Sequence, residues 1–257
     1  MITFVSICSR EYLPHFLILY KSIKKYYPDS CIILWTFGDF PLPVKVDARH
    51  YVSFKEEFAS KKARMCLDAL EEGHNQVIFC GADTELFAPL PNMSFFNIGI
   101  VPHLCRPLPL DGNMPSANIF NYAGHCNADF IAMNNTPETK AALEWLDSCC
   151  QYACKIDPCN GCYNEQSWLS LMPCLFNGVV MWRTMTVNVA YWNCYLYNLR
   201  KENGVYVTDG GALCLFHYSG FDPAKPEQMS NYQTRYIASG DILELYQSYA
   251  TRLLKGV

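Results

Sequence analysis

The 257-residue chain is just over half apolar (51%) and only 17% charged, with 20 basic against 24 acidic residues and a formal net charge of -4. That length buries a full core, most simply as one α/β domain with elaborated loops. The balance excludes a nucleic-acid footprint, which needs clustered Lys and Arg, and apolar runs such as 16–20 and 31–37 fall far short of the roughly 20 residues of a membrane span.

The elements follow in an alternating order that a mostly parallel sheet demands. Residues 3–8 predict a first core strand, 12–26 an amphipathic helix broken by Pro28-Asp29, and 30–37 the next strand. The start, Met1-Ile2-Thr3-Phe4-Val5-Ser6-Ile7, has neither the basic n-region nor the cleavage site of a secretory signal, so a cytoplasmic protein is expected. A short strand over 44–52, a helix over 55–73 closed by Gly73, and a central strand over 76–80 complete a βαβαβ half that ends at Asp83. Residues 102–115 form a proline-rich loop too long to be a plain connection. Beyond it come a strand over 129–133, helices over 136–152 and 164–171, an aromatic, strand-like segment over 187–197, late strands over 205–207 and 213–217, and a terminal helix over 240–254.

Most of the fourteen cysteines, including Cys8, Cys66, Cys80 and Cys214, sit in apolar runs and read as reduced core thiols. Cys159-Asn160-Gly161-Cys162 has the spacing of a zinc knuckle or a redox pair, but no second such pair completes four ligands, and unpaired thiols are the favoured expectation.

Four constellations carry chemistry. Val77-Ile78-Phe79-Cys80 stops at Gly81-Ala82-Asp83, which sets a carboxylate at the carboxyl end of a central strand, where open α/β sheets bind ligands and a hard cation bridges phosphates. An Asp so placed equally serves as a turn former. His217 ends the run Leu213-Cys214-Leu215-Phe216 and offers a nitrogen ligand for manganese, or else a core imidazole bonded to a carbonyl. Glu165 and Gln166 open a helix, where they orient a sugar hydroxyl or follow the acid preference of a first turn. Lys61, Lys62 and Arg64 either offset nucleotide charge or form a solvated helix face, the latter favoured.

In this order the blocks resemble the GT-A fold glycosyltransferases, nearest the retaining enzymes that resemble glycogenin and the bacterial lipopolysaccharide galactosyltransferases. The blocks are the Ala82-Asp83 turn, Asn127-Ala128-Asp129, Glu165-Gln166, Asn188-Val189-Ala190-Tyr191-Trp192-Asn193, and His217-Tyr218-Ser219-Gly220. The resemblance covers residues 1–226 and implies a single Rossmann-like domain with a nucleotide-binding half at 1–90, an acceptor and metal half at 91–226, and a helical extension at 227–257. It implies Mn2+ (or Mg2+) on Asp83 and His217, with Gly81 standing where the first carboxylate of an Asp-x-Asp turn would be. Asn127, Glu165 and Gln166 would lie at the reacting sugar, with Asp129 replacing a small residue expected beside Asn127. Cys8, Ser9, Arg10 and Tyr12 would meet the base and ribose, while Lys62, Ala82, Gly220 and Lys225 would line the diphosphate side. The partners expected are a nucleotide-diphosphate sugar and a glycan, lipid or protein acceptor. A nucleotidyltransferase would need a glycine-rich basic loop after the first strand, which residues 8–12 lack; a silent sugar-nucleotide-binding homologue is the alternative that Gly81 suggests.

Overall fold

The computed structural model describes residues 1–51 and 58–255. Its centre is a seven-stranded sheet of β1 (Ile2–Ser9), β2 (Cys31–Phe37), β3 (Asp47–Tyr51), β4 (Gln76–Cys80), β6 (Ile98–Pro102), β7 (Cys126–Asn134) and β10 (Val179–Met181). Their order across the sheet is β10-β6-β7-β4-β1-β2-β3. All neighbours run parallel except β7, which is antiparallel to both β4 and β6. This is an α/β fold with a mostly parallel, Rossmann-like sheet. The central strands are near-continuous apolar runs because helices cover both faces; Val77, Ile78, Phe79 and Cys80 are fully buried.

On one face α2 (Phe58–Glu71) and α4 (Pro137–Tyr152) pack over Met65, Leu67, Leu143 and Leu146; on the other α1 (Leu13–Tyr26) buries Phe16, Leu19 and Ile23, an i, i+3, i+7 stripe. α1 starts at Leu13, with Pro14 in its first turn, after a single 3-10 turn at Arg10–Tyr12. α4 begins as the sequence predicts: Pro137 fills its first turn and the Thr136 hydroxyl accepts from the Thr139 N–H at 3.1 Å. The first residues of the helix expected at 55–73, like the end of the strand expected at 44–52, lie outside the described residues.

Smaller elements complete the fold. They are β5 (Thr84–Leu86), α3 (Ala117–Tyr122), β8 (Ile156–Asp157), β9 (Cys162–Tyr163), α5 (Asn164–Leu169), α6 (Met172–Leu175), β11 (Arg200–Glu202), β12 (Val205–Thr208), β13 (Gly211–Ala212) and β14 (Leu215–His217). The terminal helix α7 (Gly240–Lys255) closes a third core of aromatic side chains, with Tyr246 and Tyr249 fully buried. Arg252 on α7 grips Glu85 of β5 bidentately at 2.5 and 2.8 Å, and His15 of α1 meets the Tyr249 hydroxyl at 2.8 Å. α7 thereby braces the strand that follows Asp83. Among the described residues no helix is long and apolar enough to cross a membrane.

The strand expected over 187–197 does not form. Its aromatic rings belong to the third core, but Asn188 takes a left-handed φ of 56°, and the Asn193 side chain accepts from the Ala190 N–H at 2.9 Å. Local side-chain bonds of this kind compete with a sheet ladder. The segment is a chain of turns with one bridge, Val189 to Phe216.

Candidate metal centre

One turn and two strand pairings bring three side chains with ligating atoms to one point. After β4 the chain turns through Gly81, Ala82 and Asp83 into β5, and Thr84 holds the turn by donating its N–H (3.1 Å) and its hydroxyl (2.8 Å) to the Gly81 carbonyl. β5 pairs antiparallel with β14, which sets Thr84 opposite His217, and the Tyr218 N–H donates to the Asp83 carbonyl at 2.9 Å. On the other side of β4, the Gly81 N–H donates to the Asp129 carbonyl of β7 at 2.9 Å. One ligand atom each from Asp83, Asp129 and His217 then lies within 4.8 Å of the others, the only such group of three among the described residues.

Asp129 supplies the carboxylate that Gly81 lacks. A Cβ built on Gly81 would lie 2.8 Å from the Asp129 Cβ and 2.9 Å from its Cγ, closer than carbon atoms approach. The two positions share one side-chain volume, so a carboxylate fits on one of them and the other must be bare. Gly81 therefore does not by itself leave the group a carboxylate short, because Asp129 lies beside Asp83 and His217.

His217 is fully buried. Its Nδ1 lies 3.2 Å from Asn188 Oδ1, and its Nε2 faces Asp83 Oδ1 at 3.4 Å and Asp129 Oδ2 at 3.5 Å without a hydrogen-bond partner. An unpaired buried polar atom costs about 1–3 kcal/mol, and two carboxylates aimed at it call for positive charge there, as a proton or a cation. Burial alone would push the His217 imidazole down, but Asp83 and then Asp129 outweigh it and hold it above its ordinary value. Burial would likewise push Asp83 up; the imidazole beside it holds it down instead. Two carboxylates and one imidazole nitrogen are a donor set that suits Mn2+, and Mg2+ less well.

The centre sits at the seam of two cavities, and Asp129 lines both. The first, of 270 Å³, is walled by Cys8, Ser9, Tyr12, Ala82 and Asp83 with the rings of Phe37 and Phe58. Burial pushes the Cys8 thiol up to about 12, which makes it a neutral wall and no nucleophile. The second, of 630 Å³, is lined by Asn127, Glu165, Gln166, Tyr191 and Trp192. Most of the sequence-predicted site residues thus converge. Arg10 and Lys225 are exposed and, like Gly220, line neither cavity.

No family model matches the chain. Two proteins of Bacillus subtilis (strain 168) resemble it: uncharacterized protein YfnF, 30% identical over 99 residues (38% of this chain, 33% of YfnF), and uncharacterized protein YfnD, 27% identical over 104 residues (40% of this chain, 33% of YfnD). The chain matches a third of the length of each, and neither name states an activity.

Lys62 is not on a solvated face. It is 5% exposed, and its Nζ bonds Asp129 Oδ1 and Glu165 Oε1 at 2.7 Å each. Burial alone would push its ammonium down, but the two carboxylates outweigh this and hold it above an ordinary lysine. Arg64 does face water, pairing with Asp68 and Glu71. The clustered cysteines do not converge on a metal: Cys159 is exposed, Cys162 is buried with its thiol toward the Ala153 carbonyl at 3.5 Å, and both are free.

His103, on the floor of the second cavity, donates from Nδ1 to the Gly124 carbonyl at 3.0 Å. Burial pushes its imidazole from 6.5 down to about 3. The unfolded chain takes up this proton near 6.5 and the folded protein only near 3, so the contribution of neutral His103 is complete above pH 6.5 and is lost as pH falls through that window. The expected slope is about 1.4 kcal/mol per pH unit. In urea titrations from pH 7 to pH 4, His103→Gln should flatten this acid limb; an unchanged limb would place the titrating group elsewhere.

Proposed function

We propose that the chain is a GT-A type glycosyltransferase that moves a sugar from a nucleotide-diphosphate donor to a hydroxyl of a glycan, lipid or protein. The observation that carries it is the Asp83, Asp129 and His217 centre at the seam of two cavities, where a diphosphate would lie with its nucleoside on one side and its sugar on the other. The residues fit a divalent cation, Mn2+ or Mg2+, which when bound neutralises the charge that grows on the departing diphosphate.

The remaining roles fall to the chain itself. Ser9 and Tyr12, with the thiol of Cys8, wall the space that would hold the nucleoside. Asn127, Glu165 and Gln166 border the space for the transferred sugar. Glu165 is held at 2.7 Å by Lys62, so it acts through charge and position and is not a free nucleophile. In the step that follows, the bond from the anomeric carbon to the diphosphate oxygen breaks with its electron pair leaving on the diphosphate. The acceptor oxygen bonds to that carbon, and its proton passes to the diphosphate. Retention of configuration follows if the acceptor enters on the leaving-group face.

A panel of nucleotide sugars with MnCl2 tests this. Release of nucleoside diphosphate from at least one donor, lost in Asp83→Ala and in His217→Ala, is the expected result. Turnover unchanged in both variants would remove the metal centre from the reaction.

A further inference from the structure

The buried amides beside the centre form a chain with one direction. Gln166 Nε2 donates to the Ala123 carbonyl at 2.8 Å, Asn127 Nδ2 donates to Gln166 Oε1 at 3.1 Å, Asn188 Nδ2 donates to Asn127 Oδ1 at 3.3 Å, and Asn188 Oδ1 faces His217 Nδ1 at 3.2 Å. Side-chain amides can be turned end for end, but backbone groups cannot, and they pin this chain at three points. The Ala123 carbonyl can only accept, so it must meet the Gln166 nitrogen. The Ala128 N–H can only donate, and it points at Gln166 Oε1 at 3.3 Å. The Asp129 N–H can only donate, and it points at Asn127 Oδ1 at 3.0 Å. With Asn127 fixed, Asn188 must present its nitrogen to Asn127 and its oxygen to the imidazole.

We propose that Gln166, Asn127 and Asn188 are positioning residues, a one-way amide relay anchored on the Ala123 carbonyl that keeps the His217 proton on Nδ1 and turns the Nε2 lone pair toward Asp83 and Asp129. Its use, though not its geometry, rests on the metal centre proposed above. An imidazole that carries its proton on Nε2 offers no lone pair between the two carboxylates; one held with Nδ1–H donating to a carbonyl-type oxygen is both oriented and a stronger ligand. All four side chains are buried, from fully so at His217 to 9% exposed at Gln166. The relay also joins the two blocks at 127 and 166 that border the sugar space to the ligand at 217. It runs from α5 through β7 and the turns between β10 and β11 to β14.

The test uses variants that break different links. Asn188 sits at a left-handed φ of 56°, which Asp and Gly both tolerate. Asn188→Gly removes the acceptor for Nδ1–H, and Mn2+ affinity measured by calorimetry should fall about 10- to 100-fold. Asn188→Asp keeps that acceptor while cutting the link to Asn127, and should bind Mn2+ within a few-fold of the unaltered protein. Gln166→Met, remote from the ligands, should weaken Mn2+ binding in the unaltered background and have no effect in the Asn188→Asp background. Equal losses from Gln166→Met in both backgrounds, or a loss in Asn188→Asp as large as in Asn188→Gly, would overturn the relay. Nitrogen NMR of metal-free protein gives an independent readout: the His217 Nδ1 should carry a slowly exchanging proton shifted by its bond to Asn188 Oδ1 and lost in Asn188→Gly, and an unprotonated Nδ1 in the unaltered protein would overturn the proposal. If the unaltered protein gives no Mn2+ heat at all, the metal centre fails, while the NMR result still decides the relay.

Discussion

Moving the carboxylate of Asp129 to position 81 is expected to preserve the metal centre, whereas a carboxylate at neither position is expected to weaken it greatly and one at both to destabilise the fold. Asp129→Gly removes one of three ligands, and Mn2+ affinity should fall at least about 100-fold, the upper end of what losing a mere supporting partner costs a metal site. Gly81→Asp forces a Cβ to within 2.8 Å of the Asp129 Cβ and adds a like charge beside it. Overpacking of this kind costs about 1–3 kcal/mol, and the melting temperature should fall with it. The double variant Gly81→Asp, Asp129→Gly relieves the clash and restores two carboxylates beside His217, so its Mn2+ affinity should return to within about tenfold of the unaltered protein, a difference of about 1.4 kcal/mol. A folded double variant that binds Mn2+ no better than Asp129→Gly would show that the two positions do not share a role. The pairing follows from one register: β4 and β7 are antiparallel with Cys80 opposite Phe130, which sets Gly81 opposite Asp129.

Lys62→Met should be the most destabilising substitution near the site. The ammonium bridges Asp129 and Glu165 at 2.7 Å each while itself 5% exposed, with the rings of Phe58 and Phe79 within 5.2 Å of it. Removing one partner of a buried ionic cluster leaves uncompensated charge and costs about 3–5 kcal/mol. Denaturant unfolding measures that loss. Glu165→Gln added to Lys62→Met removes one of the stranded charges at constant shape and should recover a substantial part of the loss. A Lys62→Met protein as stable as its parent would mean that the bridge contributes nothing net. Because Asp129 is a partner of Lys62 and a proposed ligand of the cation, saturating Mn2+ should also stabilise Lys62→Met more than it stabilises the unaltered protein, since bound ligand stabilises only the folded state.

The first half of the fold was legible because its signals are local. Unbroken apolar runs mark β1, β2 and β4, a 3.6-residue stripe marks α1, and Pro28 and Gly73 punctuate them. Asp83 and His217 were legible for the same reason: each is a polar residue that ends an apolar strand. The place of Asp129 beside Asp83 and His217 was not legible, because its closeness to Gly81 exists only through the antiparallel register of β7, fixed by residues some fifty positions apart in the chain. One local signal was present. An Asp between Ala128 and Phe130 inside a buried strand is costly unless paired or bound to a cation, and Asn127 two residues earlier follows the same side of the strand. The segment 187–197 misled because aromatic residues favour strands and cores alike, and nothing local announces that Asn188 will take a left-handed turn. Lys62 misled because its neighbours Lys61 and Arg64 do lie toward solvent, and only tertiary packing sets it under two carboxylates.

If Asp83, Asp129 and His217 together hold a divalent cation at the seam of the two cavities, anomalous diffraction at the manganese edge, from crystals soaked in MnCl2 with a nucleoside diphosphate, should show it. A single strong peak is expected, bonded to the Asp83 and Asp129 carboxylates and to His217 Nε2, with the diphosphate reaching it from the cavity walled by Cys8 and Tyr12. No peak among these three side chains, or a peak bonded to His217 through Nδ1, would contradict it.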